Sequence, residues 1–358
     1  MRNRYLGSRK MTKPGQVTMK KSNPSVSVVF SFFNEEDNIP ELLRRCRQTL
    51  RAEQESGNIS KYELIFVNDD STDASERMLT EEAQREGDIK LVNMSRNFGN
   101  SSCIIAGFEH SRGDLVFYMD ADLQDPPELM AKMLAAWRAD DEVEVVNTVR
   151  LSRAGESKIK LAITRLGYDI LARTSSIRFI REAGDFKLLS RKVVDHMLDM
   201  PESFPFTRGL VYYVGFKQEN VYYHRESRHA GESKFFVLGP RVIHNFLFSA
   251  LISFSSAPLV LSLLIGTVAA LIGVSVMTYS IIQYFVVDGV TSGWTSLIAA
   301  VLFMGSAQLI TTGINGFYIN SIFIETKRRP RYIVKSTVGG PLDAPKAAEA
   351  AVPAKDGL

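Results

Sequence analysis

Leu115-Val116-Phe117-Tyr118-Met119-Asp120-Ala121-Asp122-Leu123-Gln124-Asp125-Pro126-Pro127-Glu128 sets an apolar run against four acids and an amide. Alternate residues of a strand point to one side, so Asp120 and Asp122 can present two carboxylates together where the strand meets its loop. Hard oxygen donors on one face suit Mg²⁺ or Mn²⁺, and such a site commonly completes its octahedron with substrate phosphate oxygens. A turn rich in Asp and Pro after a strand is also commonplace, so a plain turn stands beside the metal site as a reading of this stretch.

Outward from this stretch, strand-like and helix-like runs alternate. Val26 to Phe32, Tyr62 to Val67, Ile89 to Met94, Leu115 to Met119 and Val143 to Val149 read as strands. Between them, helical spacing predicts helices opening at Asn38 and Pro40, after Asp73, at Gly99 and at Pro127. This order predicts an α/β domain with a mainly parallel sheet covered on both faces. Ligands of such sheets bind at the carboxyl ends of the strands. Asn34-Glu35-Glu36, Asn68-Asp69-Asp70 and Asp120-Ala121-Asp122 all fall there. A dinucleotide fold is disfavoured, because no Gly-x-Gly-x-x-Gly follows the first strand.

The 358 residues exceed what one such domain needs. No Asp, Glu, Lys or Arg interrupts the stretch between Arg241 and Asp288, or that between Asp288 and Glu325. Each gap exceeds the roughly 20 apolar residues that cross a bilayer, which predicts transmembrane helices near 258–287 and 294–324. Arg225, Arg228, Lys234 and Arg241 precede the first, and Lys327, Arg328, Arg329, Arg331 and Lys335 follow the second. The loop between them has neither Lys nor Arg, so both ends and the large domain are expected on the cytoplasmic side. The basic, polar start lacks the apolar core of a signal peptide. Cys46 and Cys103 make no disulfide framework. A net charge of +3 is too weak to argue for nucleic acid.

Further motifs carry a family resemblance. Ser25 to Glu36 (SVSVVFSFFNEE), Val67 to Asp73 (VNDDSTD), Ser95 to Gly99 (SRNFG) and Met119 to Glu128 (MDADLQDPPE) resemble the successive motifs of GT-A family-two glycosyltransferases. More narrowly, the chain resembles the polyisoprenyl-phosphate branch, dolichol-phosphate mannose synthase and the bacterial undecaprenyl-phosphate sugar transferases. The likeness continues through Ala183 to Arg191 (AGDFKLLSR), Val214 to Phe216, Arg228 to Lys234 (RHAGESK), Gly313 to Ile319 and Glu325 to Tyr332, spanning about residues 25 to 333. It departs at Ser31 (usually Pro), Phe33 (usually Tyr) and Asn68-Asp69-Asp70-Ser71 (usually Asp-Asp-Gly-Ser), which leaves the base contact open between Asn68 and Asp70.

The resemblance implies a GT-A domain over 25–234, after a basic stretch at 1–24 without periodicity. A juxtamembrane segment at 235–257, rich in aromatics and suited to lie along the bilayer, a two-helix membrane hairpin at 258–325 and a cytoplasmic tail at 326–358 follow. It implies that Glu35, Asp69 and Arg96 hold the nucleotide sugar, while Asp120, Asp122 and Gln124 surround the metal, Mg²⁺ or Mn²⁺, and the diphosphate. Asp122 and Asp185 are the expected catalytic carboxylates, Asp185 as a base or as an orienter of sugar hydroxyls. A lipid phosphate needs cations near the membrane, which points to Arg150, Arg153, Lys160, Arg228 and Lys234. The expected protein is a multi-pass enzyme of the bacterial inner membrane. It moves a sugar with inversion from a nucleotide diphosphate-sugar, UDP-glucose favoured, to polyisoprenyl phosphate. A homo-oligomer, as in tetrameric relatives, is implied by resemblance alone. A processive polysaccharide synthase would carry Gln-x-x-Arg-Trp, and Trp137 and Trp294 stand in the wrong settings for it. A non-catalytic scaffold has no need of acids at three strand ends.

Overall fold

Val26–Phe32 buries every residue, because side chains from both faces of this strand (β1) find a core to enter. Val26, Val28, Phe30 and Phe32 face one core and Val29 the other, the period-two division of a strand covered on both sides. The computed structural model describes residues 23–151, 183–224, 257–286 and 293–340. Arg153, Lys160, Arg225, Arg228, Lys234, Arg241, the rest of the juxtamembrane segment through 256, the loop at 287–292, and the ends 1–22 and 341–358 lie outside the described residues.

After β1 come α1 (Ile39–Glu55), β2 (Tyr62–Asn68), α2 (Ser75–Arg85), β3 (Ile89–Met94), α3 (Asn100–His110), β4 (Leu115–Asp120), α4 (Leu129–Arg138) and β5 (Val143–Arg150). These match the expected order. Asp73 accepts from the Ser75 amide at 3.0 Å, closing the start of α2 as its position predicts. Then follow β6 (Ala183–Ser190), α5 (Arg191–Leu198), α6 (Thr207–Tyr213), β7 (Lys217–Tyr223), α7 (Ala257–Val286), α8 (Trp294–Thr326) and β8 (Val334–Gly339).

The eight strands lie in the order β7-β5-β6-β4-β1-β2-β3-β8. The run β4-β1-β2-β3 is parallel, as expected, and β6 and β8 join it antiparallel to β4 and β3. Leu42, Leu50, Leu79, Met130 and Trp137 cover one face from α1, α2 and α4, while Ile104, Val193 and Leu210 cover the other from α3, α5 and α6. Gly107 of α3 meets Val29 so closely that a Cβ there would lie 2.1 Å from the valine methyl. Its missing side chain lets α3 sit against β1.

The assignment of 326–358 to a tail needs correcting at residues 334–339. They form β8, an edge strand whose Val338 packs on one core and whose Val334 packs on the other. Three polar residues, Lys335, Ser336 and Thr337, separate these valines, so the strand pattern is weak in the sequence and only pairing with β3 gives it a shape. The chain thus leaves the sheet after β7, runs through two long helices, and returns to the opposite edge.

Those helices, α7 and α8, lie against each other and leave large apolar side chains exposed, from Leu259 and Leu263 to Phe317, Ile322 and Phe323. Among the described residues, one stretch is long and apolar enough to cross a bilayer, Pro258–Tyr279, whose 22 residues extend about 33 Å as a helix.

Candidate active site

Three strand ends meet at the carboxyl rim of β1, β2 and β4. Ser31 of β1 pairs with Asp120 of β4 in register, and its hydroxyl lies 3.4 Å from the Asp120 carboxylate. Asn100, at the start of α3, donates to the same oxygen at 3.2 Å and is itself bonded to Ser31. Beyond Asp120, Ala121, Leu123 and Asp125 turn inward while Asp122 and Gln124 remain partly open, so Asp120, Asp122 and Gln124 share the outer side. Leu123 holds this loop with its side chain in the core at a left-handed φ of 57°. Such a conformation in a branched residue costs energy and is tolerated where surrounding structure enforces it. The Asp122 carboxylate accepts from the Gln124 amide at 3.2 Å.

A buried ion pair braces the loop from below. Asp125 takes a hydrogen bond from the Tyr223 hydroxyl and an ion pair from Arg150 at 3.2 Å, while Arg150 Nε donates to Tyr223 at 3.0 Å. Gly184 packs beside this guanidinium: a Cβ there would lie 3.2 Å from Thr148 Oγ1 and 3.4 Å from Arg150 Nη2. Arg150, expected from the sequence to meet an acceptor phosphate, is therefore committed to the support of the carboxylate loop.

Asp185, on β6, is held by both arms of the Arg208 guanidinium from α6. Burial alone would push this carboxyl up; the arginine outweighs it and holds Asp185 below the usual carboxylate range. Asp120 goes the other way. Burial, reinforced by the charges of Asp185, Asp122 and Asp125, raises it to about 7, against a smaller opposing pull from Arg208. Asp120, Asp122, Asp125 and Asp185 thus act on one another at this end of the sheet, where, among the described residues, Arg208 pairs with Asp185 and Arg150 with Asp125. Arg208 was not singled out in the sequence, where Phe206-Thr-Arg-Gly209 has no pattern of its own; only its pairing with Asp185 marks it.

The remaining expected nucleotide residues line the neighbouring rim. Asp69 receives the amides of Phe98 and Gly99 at 2.7 and 3.0 Å, shaping the Arg96 to Gly99 loop, and burial raises its carboxyl in spite of those bonds. Glu35 accepts from the Asn38 side chain at 2.6 Å. Asn68 is buried and donates to Asn93 at 3.0 Å, whereas Asp70 stands exposed at a φ of 64°, so of the two positions left open for the base Asp70 faces outward. Arg96 is exposed and stacks 3.9 Å above the Phe98 ring.

Beneath Asp185 lies Lys187, fully buried, with its ammonium 2.6 Å from Asn147 Oδ1 and 5.3 Å from the Tyr212 ring centre. Desolvation lowers it from its ordinary 10.5 to about 7. Between those values the unfolded chain binds a proton that the folded one does not, so stability rises with pH across that window, at a limiting slope of roughly 1.4 kcal/mol per unit. Lys187→Met is expected to flatten this slope and to raise the melting temperature most at and below pH 7, the gain fading towards pH 10.5, as thermal unfolding at a series of pH values would read. An unchanged slope would remove the burial cost assigned to this amine.

Among the described residues no three carboxylate, imidazole or thiolate side chains converge as a ready-made metal cage. Asp120, Asp122 and Gln124 are nonetheless hard oxygen donors on one side of one loop, and the surplus negative charge at Asp120 is of the kind a divalent cation relieves.

The profile of glycosyl transferase family 2 matches residues 27–198, which covers the sheet from β1 to α5 and every carboxylate above. An uncharacterized glycosyltransferase of Bacillus subtilis, YkcC, is 36% identical over 313 residues, 87% of this chain and 94% of its own. The chain belongs to glycosyl transferase family 2. Another relative within the family is the bactoprenol glucosyl transferase of Shigella phage SfX, 33% identical over 311 residues, which cover 87% of this chain and 99% of the phage protein. Among solved structures, the mannosyltransferase PcManGT from Pyrobaculum calidifontis, in complex with GDP-Man and Mn²⁺, is 16% identical, with a TM-score of 0.40 over 89% of this chain and 92% of that one.

Proposed function

We propose that this glycosyltransferase is anchored in the membrane by α7 and α8 and moves a sugar, with inversion, from a nucleotide diphosphate-sugar to a polyisoprenyl phosphate at the cytoplasmic face. The observation that carries this reading is the physical link between α8 and the glycosyltransferase domain: Ser203, in the connection between α5 and α6, donates both its amide and its hydroxyl, at 2.9 Å each, to Glu325 at the end of α8. An acceptor that is itself a membrane lipid needs its transferase fixed at that surface. The bactoprenol relatives support the lipid acceptor, and their glucosyl name supports UDP-glucose as the donor.

In the reaction a phosphate oxygen of the acceptor bonds to the anomeric carbon as the bond from that carbon to the nucleotide diphosphate breaks, its electron pair leaving with the diphosphate. A phosphate monoester, with a second pKa of about 6, is already mostly dianionic near neutrality, so no strong base is demanded. This agrees with Asp185, whose carboxyl is held low and engaged by Arg208, a poor proton acceptor but a firm anchor for a cation beside the sugar. Asp120, Asp122 and Gln124 would hold Mg²⁺ or Mn²⁺, which supplies Lewis-acid stabilisation of the departing diphosphate. Asp69 and Glu35 shape the nucleotide rim through the Phe98, Gly99 and Asn38 contacts already described.

The test is to incubate the purified protein with Mg²⁺, undecaprenyl phosphate and a panel of labelled UDP- and GDP-sugars and to identify the lipid product. Lipid-linked glucose is the expected product; transfer to none of the panel would overturn the reading. Asp185→Asn is expected to lower kcat by about a hundredfold while leaving nucleotide affinity intact. Unchanged turnover would take Asp185 out of the chemistry.

A further inference from the structure

We infer that Arg208 receives the phosphate of the lipid acceptor, at the end of a short segment that runs from the membrane-side helix to the carboxylate rim; this rests on the lipid-phosphate acceptor proposed above. The acceptor's hydrocarbon stays in the bilayer, so whichever cation meets its phosphate must lie within reach of the chain's exit from the membrane. Of the cations expected to do so, Arg150 is the described one, and it is spent on Asp125 and Tyr223. Arg208 meets the requirement through the backbone. Ser203 is clamped to Glu325 at the last turn of α8, and Met200, three residues earlier, accepts a bond from Arg331 on the outgoing chain. Arg208 lies five positions after Ser203, which caps the distance between their Cα atoms at about 17 Å. Between them Phe204 is 59% exposed, an aromatic set beside a helix end that is itself apolar and exposed. Aromatic rings with this placement are at home at the headgroup level of a bilayer.

At the other end of the segment the guanidinium faces the chemistry. Its side chain is 36% exposed while that of its partner Asp185 is 14% exposed, so the pair is reached from the arginine side. Asp185 and Asp120 each lie two positions beyond the Tyr118–Lys187 pair of the antiparallel β6 and β4, which sets the guanidinium bound to Asp185 beside the carboxylate loop. A dianionic phosphate entering a rim of four carboxylates meets repulsion, and a planar guanidinium is the side chain that offsets it while fixing an oxyanion in two directions. Asp185 orients that fork through its own two oxygens, which explains a carboxylate held too acidic to act as a base. The leaving diphosphate offers the same oxyanion chemistry, so the experiment must separate the two sources.

Full-length protein in detergent or nanodiscs would be assayed with UDP-glucose and undecaprenyl phosphate, each varied in turn, for the wild type, Arg208→Gln and Arg208→Lys. Arg208→Gln is expected to raise the acceptor KM by about tenfold or more and to leave UDP-glucose affinity within about twofold, with Arg208→Lys in between. A rise in donor KM at constant acceptor KM would assign the guanidinium to the diphosphate and overturn the inference, as would a fall in kcat alone. Ser203→Ala combined with Phe204→Ser loosens the segment and leaves the guanidinium in place. It too is expected to raise the acceptor KM alone, and an unchanged value overturns the inference even if the Arg208 variants fail to fold. Absence of lipid product from the wild type would instead strike the proposed reaction itself.

Discussion

Asp120→Asn is expected to lower kcat/KM for sugar transfer by about two to three orders of magnitude, with the fold intact. The substitution keeps the shape and the bond from Asn100 but removes a charge at the point where Asp122 and Gln124 complete a hard oxygen set. The same residue makes a second, non-catalytic readout available. Its carboxyl is raised to about 7, so ionising it is unfavourable in the folded protein, and stability falls as pH rises from the usual carboxylate range through that value. A divalent cation favours the ionised form. Mg²⁺ or Mn²⁺ is therefore expected to raise the melting temperature more at pH 8 than at pH 6 in the wild type, and much less at either pH in Asp120→Asn. Full transfer by the variant, or equal metal stabilisation in both proteins, would take this carboxylate out of the metal site.

Ending the chain after Ile333 is expected to destabilise the catalytic domain, although the cut falls far from the site in sequence. It removes β8 with the half-buried Val334 and Val338, and strips β3 of its antiparallel partner. Lost burial and lost pairing together amount to about 3 kcal/mol, which for a domain of this size lowers the melting temperature by roughly 6–12 °C. The bare edge of β3 would also favour aggregation. Thermal unfolding with light scattering measures both, and a truncated protein with wild-type melting would show β8 to be an ornament of the sheet.

The sequence carried the parallel half of the fold because each of β1 to β4 is a compact apolar run bounded by turn residues, and the helices between them show helical spacing. It was silent where pairing, not composition, defines the strand. Lys187 interrupts β6, Lys217 to Tyr223 is mostly polar, and β8 has two valines among polar residues. In the site, Asp120 and Asp122 were legible because they follow an apolar run, whereas Asp185, after Glu182-Ala183-Gly184, was pointed to by the family resemblance alone. Arg208 was not, since one arginine among many has no signature until a carboxylate from a distant strand closes on it. Arg150 illustrates the converse: a cation at a strand end reads as a ligand contact, and the structure spends it on a buried acid. The second apolar helix was legible as a charge-free length, and its partner in sequence, the Glu325 that grips Ser203, read only as the charge that ends it.

The position of β8 has a consequence for biosynthesis. A ribosome delivers β1 to β7 first, then the two apolar helices, and only afterwards the strand that seals the β3 edge. Domains fold largely as they emerge, so the nascent sheet has one border open until the residues after α8 have been made. Completion of the sheet thus follows synthesis of both long helices, and a chain interrupted before them leaves β3 without its antiparallel edge partner.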